Sequence, residues 1–126
     1  MSIRKALTPA ALAAVVLTGI LVNAPAAQAS GGVCNPGCTS HVEFASYGEI
    51  LTVHDYAANG RSTVALLDIN RDGSYSQYWN GLGYDAPPAE FNLEIGEGVA
   101  IRYKACEGYL STGEIFNCSG WYNDVA

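Results

Sequence analysis

The apolar residues of this chain follow two rhythms. From Ala10 to Val22 they run on almost unbroken, interrupted only by Thr18 and Gly19. Beyond residue 40 they alternate with polar residues in short bursts, and each burst is closed by Gly, Asn, Asp or Pro. The second rhythm is that of β-strands, whose successive side chains point to opposite faces. Val42 and Phe44 share one face of His41–Ser46. In Glu49–Tyr56, Leu51 and Val53 oppose Ile50, Thr52 and His54. Thr63–Ile69 is more continuously apolar and reads as a central strand. Tyr75, Gln77 and Trp79 share a face of Tyr75–Asn80, with Tyr78 on the other. Phe91, Leu93 and Ile95 alternate with Asn92 and Glu94. Val99, Ile101, Tyr103 and Ala105 alternate with Arg102 and Lys104. Glu114–Cys118 is the last clear strand, and Trp121 and Tyr122 add a short edge piece.

Turn chemistry separates these segments. Asn59-Gly60 and Asn70-Arg71-Asp72-Gly73 are hairpin signals. Gly96-Glu97-Gly98 is a further turn, Gly81–Pro88 is a longer loop, and Ser30–Ser40 reads as loop. No segment carries a sustained helical period. About seven short strands in one small domain predict an all-β fold, a small antiparallel β-sandwich that is immunoglobulin-like in architecture, with a small barrel as the alternative.

The first rhythm has a different meaning. Arg4 and Lys5 precede the apolar run, and Asn23–Ala29 follows it as a small-residue stretch ending in Ala-x-Ala. This is the layout of a secretory signal peptide over residues 1–29, cleaved after Ala29. The run is too short for a spanning helix, which needs about 20 residues. The mature chain, residues 30–126, is then expected to be one secreted, extracellular domain with no stable membrane insertion.

Charge narrows the partners. The chain carries 12 acidic against 6 Lys and Arg residues and is at −6 at pH 7. Loss of Arg4 and Lys5 makes it more acidic still. Nucleic acid is excluded as a partner, because phosphate contacts require clustered cations. Cys34, Cys38, Cys106 and Cys118 make an even set in the exported part. Four cysteines allow three pairings. Spacing favours Cys34–Cys38, around the Pro36-Gly37 turn, and Cys106–Cys118, across a strand–loop–strand unit. A four-cysteine zinc site needs two close pairs, and the second pair is too far apart.

Three groups of residues invite a chemical reading. Asp68, Asn70 and Asp72, with Gly73 next, match the front half of a calcium loop, but Trp79 stands where the closing Glu belongs. The competing reading is a β-turn in which these oxygens serve local backbone groups; calcium, if bound, would be structural. His41 and His54 lie on separate strands. Paired across them they would offer two metal ligands, whereas a strand histidine more often packs at a half-buried surface. His54 and Asp55 are consecutive, so on a strand they point apart. No Gly-x-Ser-x-Gly elbow occurs. Aromatic residues are the better lead: Tyr75, Tyr78, Trp79 and Tyr84 cluster around one hairpin and its loop, and exposed aromatics supply contact area with polar tips. Trp79 is expected to fill core, and Tyr78 and Tyr84 to be exposed binding anchors.

Glu97–Cys106, Cys118–Ala126 and Gly48–Tyr56 together resemble small exported β-rich proteins of actinomycetes. The resemblance implies secretion, a β-rich domain and a Cys106–Cys118 pair, and it implies no catalytic residue. The expected function is therefore non-catalytic binding of an extracellular protein or a cell-envelope glycan. The alternatives are inhibition of a secreted protease through the Gly81–Pro88 loop, or a small hydrolase using carboxylates or the two histidines.

Overall fold

The computed structural model describes residues 30–126, so the expected signal peptide lies outside the described residues. Nine strands run in chain order: β1 (Ser30–Cys34), β2 (Ser40–Ala45), β3 (Ile50–Asp55), β4 (Ser62–Ile69), β5 (Ser76–Asn80), β6 (Ala89–Asn92), β7 (Ala100–Tyr109), β8 (Glu114–Phe116) and β9 (Tyr122–Val125). They form two antiparallel sheets. One has the order β1-β2-β3-β6, and the other has the order β5-β4-β7-β8, with β9 paired to β7 beside β8. The expected β-sandwich is the observed architecture, with two more strands than the alternation predicts.

The alternation decides which side chains lie between the sheets. Val42, Phe44, Leu51 and Val53 come from the four-stranded sheet, and Ala65, Leu67, Ile101, Tyr103 and Ala105 from the five-stranded one. All are almost fully buried. Ile95 and Ala126 close the cluster. β4 is buried on both faces, as its continuous apolar run requires, and is flanked by β5 and β7. Its outward residues Val64 and Leu66 start a second, smaller cluster with Cys106, covered by Trp79, Ile115, Cys118 and Trp121. Arg102 and Lys104 stack their charged heads over the Trp121 ring, at 4.4 and 4.7 Å from its centroid.

Both disulfides have the expected pairing, Cys34–Cys38 and Cys106–Cys118. The first closes a loop held by polar contacts. Thr39 Oγ1 donates to Glu107 Oε2 at 2.8 Å, Asn35 Nδ2 donates to the Asn117 carbonyl, and Thr63 Oγ1 donates to Ser40 Oγ. Glu107 is buried yet has four donors, since Asn59, Asn117 and Arg61 join Thr39. Burial alone would push its carboxyl up. The hydrogen bonds and the Arg61 charge outweigh burial and hold it below the usual range.

Candidate functional site

The outer face of the four-stranded sheet is built by the β2–β3 hairpin. Because Val42 and Phe44 point inward, His41 and Glu43 point outward. Because Leu51 and Val53 point inward, Thr52 and His54 point outward. The register sets His41 opposite His54 and Glu43 opposite Thr52. His54 and Glu43 are thus diagonal neighbours, within reach of long side chains. His54 Nε2 lies 2.5 Å from Glu43 Oε2, and His41 Nδ1 lies 4.0 Å from the same oxygen. His54 finds its carboxylate on the neighbouring strand, while Asp55 Oδ1 accepts from the Ala57 amide.

The surroundings hold this group in place. The Tyr56 ring stacks on His41, with centroids 5.7 Å apart and planes at 12°, and lies 5.2 Å from His54. On β1, Gly32 sits opposite Glu43, and a Cβ there would stand 3.0 Å from His41 Nε2. The missing side chain gives the imidazole its room. His41 Nδ1 is buried and has no hydrogen-bond partner. Burial lowers the His41 pKa; Glu43 opposes the shift and His54 adds to it.

Beside this cluster lies a shallow groove. His54, Asp55, Tyr56, Tyr84, Ala86 and Pro88 line a cavity of about 130 Å³. Tyr56 and Tyr84 remain 48% and 51% exposed, so both rings present a free face. Burial pushes the Asp55 carboxyl up, against the Ala57 hydrogen bond, and Glu107 adds to the rise. The groove is smaller than the several hundred cubic ångströms that enclose a small-molecule ligand.

The two tyrosines expected as anchors lie in different surroundings. Tyr84 is exposed in the loop between β5 and β6. Tyr78 is half-buried, sits opposite Ala65 and packs edge-on against Phe91 at 5.1 Å. A small residue at 65 makes the space for its ring, so Tyr78 faces the core, and Trp79 covers the outer cluster. The front half of the calcium-like loop is in local service. Asp68 is fully buried and accepts from Asp72 N, Gly73 N and Arg102 Nε. Burial would raise its carboxyl, but these bonds and the guanidinium charge lower it. Asp72 Oδ1 accepts from Ser74 N, and Asn70 is exposed with a positive φ of 75°. Arg102 thus brings a positive charge to the place where a cation would be needed.

No protein-family model, curated protein or solved structure matches the chain. No helix among the described residues is long and apolar enough to cross a membrane.

Proposed function

We propose that residues 30–126 form a secreted binding module whose partner is a cell-envelope glycan, engaged at the groove between Tyr56 and Tyr84. Export is supported by the apolar run Ala10–Val22 with its Ala-x-Ala end and by two disulfides, which persist in oxidising compartments. The observation that carries the binding reading is the convergence of two half-exposed tyrosines, from separate loops, on one groove that His54 and Asp55 also line. Aromatic faces suit the C–H faces of sugars. The acidity of the chain favours a neutral glycan over an anionic one.

The test is co-sedimentation of the oxidised protein with purified peptidoglycan and with chitin. The wild type should pellet saturably, and Tyr84→Ala and Tyr56→Ala should each weaken binding by about fivefold or more, a stacked aromatic contact being worth on the order of 1–3 kcal/mol. Absence of binding to either polymer would overturn the glycan reading. A second reading, an extracellular protein as partner, is favoured by Leu82, which is 60% exposed two residues before Tyr84. It would require that Leu82→Asp, and not only Tyr84→Ala, abolish capture of that partner.

A further inference from the structure

We infer that His41, Glu43 and His54 form a binding site for a divalent transition-metal ion, zinc being the best chemical fit. One ligand atom of each residue lies within 4.8 Å of the other two, and the approaches to Glu43 Oε2 are made by His41 Nδ1 and His54 Nε2. Zinc holds such donors at about 2.0–2.2 Å, which places two tetrahedral donors roughly 3.4 Å apart. The separations here, 2.5 Å and 4.0 Å from the shared carboxylate oxygen, bracket that value. Small side-chain rotations therefore convert the cluster into a coordination shell.

Three further observations point the same way. First, buried polar atoms in native proteins nearly always have a partner, and His41 Nδ1 has none among the described residues. It is the atom that lies on the Glu43 side of its ring, and an ion between the three groups would satisfy it. Second, the imidazoles are brought together before any ion arrives, with only small rotations left to make. Tyr56 packs on both rings, and Gly32 leaves the space that the His41 ring occupies. A preorganised pair of ligands loses little freedom on binding. Third, the cluster is reachable from outside: the His41, His54 and Glu43 side chains are 23%, 18% and 41% exposed.

The donor chemistry selects the ion. Two imidazole nitrogens and one carboxylate oxygen suit zinc, copper or nickel and are a poor set for calcium or magnesium, which take oxygen ligands. Three protein ligands leave a fourth position for water or a partner's donor atom. His54 also lines the Tyr56–Tyr84 groove, so the cluster and the groove adjoin.

The experiment is isothermal titration of tag-free, oxidised, chelator-treated protein with Zn²⁺ alone, with Mg²⁺ and Ca²⁺ as comparisons. Thermal melting is followed in the same buffers. Co²⁺ is titrated separately, because its visible absorption reports an ordered nitrogen- and oxygen-donor site. The expected result is one equivalent of Zn²⁺ bound, a higher melting temperature in Zn²⁺ only, and a visible Co²⁺ spectrum. Glu43→Gln keeps the side-chain shape and should weaken Zn²⁺ binding by about tenfold or more. His41→Ala with His54→Ala should abolish it. If the double variant does not fold, Glu43→Gln with an unchanged circular dichroism spectrum decides. No saturable Zn²⁺ binding by the wild type would overturn the inference, as would equal affinity in Glu43→Gln.

Discussion

At the scale of single residues, exposure separates side chains that hold the fold from those free to meet a partner. Tyr78 and Tyr84 are six positions apart and similar on paper, yet one is wedged against Phe91 and the other stands in solvent. Tyr78→Ala should destabilise the protein by about 2–4 kcal/mol, since it removes a large ring from the edge of the core. Tyr84→Ala should change stability by no more than about 0.5 kcal/mol, as surface substitutions do. Urea unfolding curves of the two variants, set beside their glycan binding, check the assignment. Equal destabilisation by both would remove the basis for treating Tyr84 as free. Glu107 is the opposite kind of residue: every donor around it is aimed at its carboxylate. Glu107→Ala should therefore cost about 3 kcal/mol in the same unfolding assay, because Thr39, Asn59, Asn117 and Arg61 lose their acceptor together.

At the scale of strands, close approach at glycine determines how β8 and the outer cluster seat on β7. A Cβ on Gly108 would stand 2.5 Å from the Glu114 carbonyl oxygen and 2.7 Å from the Trp79 ring. Neither the paired strand nor the indole has space to give. Gly108→Ala should destabilise by about 1–3 kcal/mol, the range for an overpacked site, and should shift tryptophan emission towards the exposed form. Unchanged emission would mean that Trp79 does not lie across Gly108. The same elements show what a sequence can carry. β2, β3, β4 and β7 were legible because a buried face imposes strict alternation, and burial is what the pattern encodes. β1 was not, because Gly31 and Gly32 have no side chains with which to show a face. Its strand forms through pairing with β2, and Gly31 is bare because a Cβ would meet Tyr122 at 2.5 Å. The histidine cluster was half legible. The outward faces of His41 and His54 follow from Val42 and Val53, but their meeting depends on hairpin register. The register is set by the Ser46–Glu49 turn and by pairing along the whole of both strands. Tyr78 misled for a related reason: alternation says that Tyr78 and Trp79 face opposite ways, and which one enters the core follows from the register that sets Tyr78 opposite Ala65 and Trp79 opposite Val64.

At the scale of the whole molecule, two buried carboxylates tie together segments far apart in the chain, and that makes the fold sensitive to acid. Glu107 joins the Cys34–Cys38 loop, the 59–61 turn and the segment after β8. Asp68 joins β7 to the turn at 70–73. Both have folded pKa values below their ordinary ones. Each therefore binds fewer protons folded than unfolded, and its contribution is present above its unfolded pKa and lost as pH falls through the folded one. Asp55, raised by burial, works the other way across the same region. The net charge of −6 at pH 7 is also relieved by protonation, which slightly favours compactness on acidification. The two tied carboxylates should win, because each is itself buried and gives up a set of hydrogen bonds on protonation, whereas diffuse repulsion is screened by salt within about 8–10 Å. The melting temperature should begin to slip as pH falls through the ordinary histidine range, because His41, its pKa lowered by burial, takes up its proton more readily unfolded, and should fall more steeply below about pH 4. Glu107→Gln should start lower near pH 7 and lose less on going to about pH 3, because its share of the proton linkage is gone. A wild-type melting temperature that holds or rises towards pH 3 would mean that charge repulsion dominates and that the two carboxylates do not act as the ties described.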